Sequence, residues 1–136
     1  DHQLGDKISL GGAFALLHYL DYRSTYDVDA WWQVEATTQE MTALIQRGAP
    51  RNFRDIYAVC EAALTTPAHC WQLWQQRQAL TQDDTDVARA KLAIAGHLER
   101  IEQYRPLDHI GNREDRAQAE VVRKWYKEEF LHATVA

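Results

Sequence analysis

The sequence predicts an α+β protein, with a small sheet-bearing part over residues 1–34 followed by an all-helical part over residues 35–136. Three observations predict it. Strand-like alternation occurs twice near the N-terminus, in "KISL" (Lys7–Leu10) and in "YDVDAWW" (Tyr26–Trp32). A glycine pair, Gly11 and Gly12, separates the first of these from a run with helical spacing. From about Val34 onward every apolar pattern has the helical period.

Taken in order, the elements are a short strand at Lys7–Leu10, a Gly-Gly turn, a helix at Ala13–Leu20, a turn at "DYRST" and a strand at Tyr26–Trp32. A helix over residues 35–47 follows, with Met41, Leu44 and Ile45 on one face and Gly48 and Pro50 to stop it. The next runs from about Phe53 to Leu64, with Ile56, Val59, Cys60 and Ala63 on its apolar side. Thr66 as N-cap and Pro67 at the first helical position start another. The clearest amphipathic stripe is Val87, Ala90, Ile94, Leu98 and Ile101. A final charged helix spans Arg113 to about His132 and carries Val121, Val122, Trp125 and Phe130. Two strands do not make a stable sheet alone. Either another chain completes the sheet, or a segment is missing near residues 32–34. A missing segment predicts adjacent Cα atoms there farther apart than the roughly 3.8 Å of a bonded pair.

Composition bounds the rest. With 136 residues, 46% hydrophobic and 26% charged, the chain is globular rather than disordered. Its net charge of −5, with no basic segment, gives no support to a phosphate-driven grip on nucleic acid, leaving a local patch or metal ions as routes to a polyanion. Cys60 and Cys70 lie in apolar helical contexts without CxxC spacing. They read as free buried thiols and point to a reduced, cytoplasmic setting. No run of 18 apolar residues exists, so no membrane partner is expected, and the first residues lack a signal-peptide shape. An opening at Asp1 instead of Met implies further residues upstream.

The chemistry concentrates in residues 10–32. On a strand, residues i and i+2 share a face, so Asp27 and Asp29 project together. Adjacent carboxylates repel unless a cation sits between them. Two hard oxygen ligands suit Mg²⁺, which completes its shell with phosphate oxygens and water. Two such ions can clamp an in-line phosphoryl displacement. Gly11 and Gly12, ahead of a helix, let backbone N–H groups approach a phosphate, and Arg23, Ser24 and Thr25 can donate hydrogen bonds to it. Against this stand the plainer readings: a simple turn for the glycines and a solvated face for the aspartates. His69, Cys70 and His97 fall on different helices without metal-ligand spacing. Trp71 and Trp74, three residues apart, read as core. Of Trp31 and Trp32, one is expected to face the core and the other the cleft or a missing neighbour.

This combination resembles the nucleotidyltransferase superfamily with the DNA polymerase β-like core. More narrowly, "GGAFALLHYLDYRSTYDVDAWW" with the later "ALIQRGAPRNFRDIYAV" resembles the AbiEii/AbiGii-like abortive-infection toxin family over roughly residues 8–64. The later block is carried by Ala43, Leu44, Arg47, Arg51, Asp55, Ile56 and Tyr57. The resemblance implies a small nucleotidyltransferase-type sheet and metal-dependent transfer of a nucleotidyl group from a nucleoside triphosphate to a hydroxyl, with tRNA as an acceptor and an antitoxin protein as restraining partner. It makes Asp27 and Asp29 the Mg²⁺ ligands and Gly11, Gly12, Arg23, Ser24 and Thr25 the triphosphate-binding residues. Asp55 becomes a catalytic carboxylate in the flanking helices, against a plainer role as a helix cap or the ion-pair partner of Arg51 or Arg54. The chain departs from the family pattern in three ways. Glu40 stands where a lysine is usual, Asn52 replaces an aspartate, and the strand that carries a third carboxylate is missing between the blocks. Glu40 favours an alternative, a catalytically inactive nucleotidyltransferase-like binding or interaction protein. A third reading, a plain helical bundle, requires Asp27 and Asp29 to be exposed with no cleft beside them.

Overall fold

In a computed structural model the structure describes residues 27–135. Five α-helices follow one another: α1 (Asp27–Gln46), α2 (Pro50–Glu61), α3 (Pro67–Leu80), α4 (Val87–Tyr104) and α5 (Arg113–Glu128). Single 3₁₀ turns stand at Leu107–His109 and Phe130–His132. α1 packs on α2, α3 and α4, while α5 packs on α2 and the Phe130–His132 turn.

The described residues contain no strand, which corrects the α+β expectation over the part they cover. The stretch read as the second strand, from Asp27 onward, is instead the first part of α1. Its alternation lasts only seven residues, too short to outweigh the run of good helix formers that follows, among them Glu35, Ala36, Gln39 and Glu40. Extending an existing helix adds a hydrogen bond per residue fixed, whereas an isolated strand pair leaves its edges unsatisfied. α1 also runs unbroken through residues 32–34, where the sequence predicts a missing segment, and the boundary at residue 34 falls inside it. The strand at Lys7–Leu10, the Gly-Gly turn and the Ala13–Leu20 helix lie outside the described residues.

Local chemistry explains where the other helices begin and end. Thr66 caps α3 by accepting from the His69 N–H at 3.1 Å, with Pro67 next in line as the sequence predicts. Asp86 accepts from the Arg89 N–H at 3.2 Å to start α4. Asn112 accepts from Glu114 and Asp115 at 2.8 and 3.1 Å to start α5. α1 ends at Gly48, whose φ of 60° is a left-handed conformation that favours glycine. A Cβ there would stand 2.2–2.4 Å from the His97 ring and its Cβ. The bare glycine therefore lets α4 approach the α1–α2 corner, and His97 Nε2 donates to the Ile45 carbonyl at 2.9 Å.

The core gathers one face from each helix. Met41, Leu44, Ile56, Trp71, Ile94, Tyr126 and Phe130 are all fully buried. Aromatic rings form its densest part: Phe53 meets Tyr126 edge-on at 4.8 Å, Tyr126 meets Phe130 at 5.0 Å, and Trp71 meets Phe130 at 5.3 Å. Their polar atoms are satisfied. Trp71 Nε1 donates to the Phe130 carbonyl at 3.2 Å, and the Tyr126 hydroxyl donates to the Phe53 carbonyl at 2.6 Å. The expected apolar stripes hold for α1 and α4. Ala63, expected on the apolar side of α2, instead lies exposed in the turn after it with φ of 61°. Val121 is also exposed, and its neighbour Val122 enters the core.

Candidate functional site

The corner where α1 turns into α2 is the most chemically loaded place among the described residues. The left-handed Gly48 and Pro50 at the start of α2 reverse the chain, so Glu40 on α1 comes to lie against Asp55 on α2. Asn52 tightens the same turn, its Oδ1 accepting the Ala49 N–H at 3.0 Å while the residue is 4% exposed. Asn52 thus supplies the acceptor that the turn uses.

Glu40 is half-buried, and its carboxyl is pushed up to about 8. Burial is the largest cause, followed by the hydrogen bond with Asp55 and the charge of Asp55. Arg51 and Arg47 oppose the shift without cancelling it. At neutral pH Glu40 therefore carries a proton and shares it with Asp55. Its Oε2 is buried with no donor reaching it. A neutral carboxyl tolerates that far better than a carboxylate. Residues 40, 47, 51 and 55, which the sequence assigns to one block, thus interact at one corner. The ion pair expected between Asp55 and Arg51 or Arg54 is replaced by this carboxyl–carboxyl contact; among the described residues Asp55 has no ion pair.

The remaining predicted residues divide by position. Gly11, Gly12, Arg23, Ser24 and Thr25 lie outside the described residues. Asp27 and Asp29 belong to the helical backbone of α1, and their side chains lie outside the description. The two-residue period that put them on one face is that of a strand, not of this element, so the shared face loses its geometric basis. Among the described residues no three His, Cys, Asp or Glu side chains gather in a way that could hold a metal ion.

Other candidates prove structural. His97 is held between the Ile45 carbonyl and Arg100, and His69 Nδ1 contacts Gln72 Oε1 at 3.2 Å. Trp71 and Trp74 are core, at 0% and 4% exposure. Cys60 and Cys70 are both free. A hydrogen bond to Cys70, followed by burial, pushes the Cys60 thiol far above its usual range.

One feature of the corner was open to sequence reading. Ala36, Glu40 and Leu44 recur every fourth residue along α1, which puts Glu40 on the buried face. Read as a face position and not only as a replaced lysine, Glu40 announces a carboxyl in need of a proton. Comparison of the chain with protein-family models, curated proteins and solved structures finds no match. No helix among the described residues is long and apolar enough to cross a membrane.

Proposed function

We propose that the chain is a cytoplasmic, toxin-like nucleotidyltransferase that moves a nucleotidyl group from a nucleoside triphosphate to a hydroxyl acceptor, with a tRNA end as that acceptor and an antitoxin protein as the restraining partner. The supporting observation is the convergence of the second sequence block: Arg47, Arg51 and Asp55 all act on Glu40 at the α1–α2 corner. In this reading Asp27 and Asp29 hold Mg²⁺, which supplies charge neutralisation at the phosphates. Gly11, Gly12, Arg23, Ser24 and Thr25 bind the triphosphate. Asp55, with Glu40 as its proton-sharing neighbour, orients groups at the helical flank of the cleft.

A second reading has its own observation. A neutral Glu40 in the position of a phosphate-contacting lysine removes a cation that the reaction uses, and this favours a catalytically inactive nucleotide-binding or protein-binding module. One experiment separates the two. Melting of the purified chain is followed with each of the four ribonucleoside triphosphates, with and without Mg²⁺, in the parent and in Asp27→Ala. Mg²⁺-dependent stabilisation that Asp27→Ala abolishes, together with transfer of label from an α-labelled triphosphate to tRNA, supports the enzyme. Stabilisation without transfer supports the inactive nucleotide-binding module. An unchanged melting temperature with all four triphosphates leaves the protein-binding module and overturns the enzyme.

A further inference from the structure

A separate cavity of about 300 Å³ lies where α2, α4 and α5 meet. Its apolar lining comes from Phe53, Leu98, Ile101, Ile110 and Val122. Three guanidinium groups also line it, those of Arg54, Arg105 and Arg123, with Asp115 as the one carboxylate. Arg54 and Arg105 are exposed, so they stand at the rim. Arg123 is different, being only 9% exposed.

Arg123 is a largely buried residue with one hydrogen-bond partner for its guanidinium among the described residues. Its Nη2 donates to the Arg105 carbonyl at 2.7 Å, beyond the last turn of α4. No ion pair involves it among the described residues, and Asp115, lining the same cavity, is not its partner. A guanidinium carries five N–H donors in a planar fork and stays charged at any ordinary pH. One carbonyl meets a fraction of that demand, and none of the remaining guanidinium nitrogens is sealed from solvent without a partner, so they stay available to a ligand. A second guanidinium, Arg54, adds positive charge to the same wall rather than relieving it.

We propose that this cavity binds a small organic carboxylate with an apolar body. The carboxylate takes the Arg123 fork in the paired geometry that guanidinium and carboxylate share. The apolar body lies against Phe53, Leu98 and Ile101. The volume sits at the low end of small-molecule sites, which suits a single ring or a short branched chain and excludes a nucleoside triphosphate. An inorganic anion satisfies the charge but leaves the apolar lining in contact with water. The cavity touches the α1–α2 corner at Pro50 but includes none of Glu40, Arg47, Arg51 and Asp55, and its occupancy does not depend on nucleotidyl transfer.

The test uses the whole purified chain and phenylacetate as probe, with phenylacetamide and inorganic phosphate as controls, read by titration calorimetry and by melting temperature. Saturable binding of phenylacetate that raises the melting temperature is expected, with phenylacetamide and phosphate at least tenfold weaker. Arg123→Gln lowers phenylacetate affinity at least tenfold, Arg123→Lys lowers it less, and Arg47→Gln, outside the cavity lining, leaves it unchanged. Should Arg123→Gln fail to fold, Ala119→Phe fills the cavity from α5 and abolishes binding without removing the guanidinium. Equal responses to the acid and the amide overturn the proposal, as does phosphate binding as tightly as phenylacetate. Absence of saturable binding by phenylacetate, hexanoate and indole-3-acetate alike also overturns it. So does a purely structural outcome, in which Arg123→Gln lowers the melting temperature but leaves the phenylacetate affinity intact.

Discussion

The aromatic core and the α1–α2 corner solve the problem of buried polar groups in opposite ways. In the core, the polar atoms of Trp71 and Tyr126 each donate to a backbone carbonyl, and the rings around them close the space. At the corner, Glu40 keeps a buried oxygen with no donor and relies on a proton shared with Asp55. The first arrangement is indifferent to pH and rewards shape. The second is poised by a proton and responds to the solution around it. Stability thus concentrates where α2, α3 and α5 meet, while sensitivity to conditions concentrates where α1 turns into α2.

The largest expected effect tests the first half of this contrast. Trp71 is fully buried against Trp74 and Phe130, with Lys91 Nζ over its ring at 5.7 Å. Trp71→Ala should cost about 3–5 kcal/mol in urea unfolding, whereas Arg47→Ala, exposed at the corner, should stay within about 0.5 kcal/mol. Comparable losses from the two would erase the distinction. Gly48→Ala comes next. The left-handed backbone and the collision with His97 together should cost roughly 3 kcal/mol, visible as a lower urea midpoint. A neutral result would mean that α4 can move away from the corner at no cost.

The pH dependence of stability sharpens the second half. The Glu40 carboxyl is raised in the folded state from 4.5 to about 8, so the folded protein holds this proton more tightly than the unfolded chain. The resulting stabilisation is complete below about pH 4.5 and is lost as pH rises through about 8. Because Glu40 is partly open to solvent, the loss should be discounted to roughly 2 kcal/mol. Glu40→Gln keeps a donor for Asp55 but has nothing to titrate. It should match the parent at low pH and melt higher than the parent at pH 9; equal melting at both pH values would sink the neutral-carboxyl account. The smallest effect concerns Cys60. Its raised thiol predicts slow alkylation by iodoacetamide at pH 8 in the folded state, with mass spectrometry showing full modification only after urea is added. Rapid labelling of the folded chain would contradict the hydrogen-bonded thiol pair.

Much of the helical part was legible because its signals are local. Thr66 with Pro67, the stripe from Val87 to Ile101, and the stop at Gly48 each depend on neighbours within a turn or two. The strand reading of Tyr26–Trp32 failed because seven residues of alternation cannot distinguish a strand from the first part of a long helix. Tyr126 went unnoticed because it sits between Trp125 and Lys127 in a highly charged helix, and only the packing of α5 on α2 reveals that its hydroxyl has a buried partner. The second block at Arg47, Arg51 and Asp55 could be read as a group. The identity of Glu40's carboxyl partner could not, since it depends on Asp55 meeting it across a turn. Arg123 was hidden for the same reason, as its burial is set by α4 and α2 rather than by its own helix.

The central claim is that Glu40 is a neutral carboxyl sharing its proton with Asp55 at the α1–α2 corner. Its most direct test is a carbon-detected NMR titration of the glutamate side-chain carboxyls, with Glu40 assigned by comparison with Glu40→Gln. A Glu40 midpoint near 8, falling in Asp55→Asn as the carboxyl partner is removed, is the predicted result. A midpoint near 4.5, unchanged by Asp55→Asn, would contradict it.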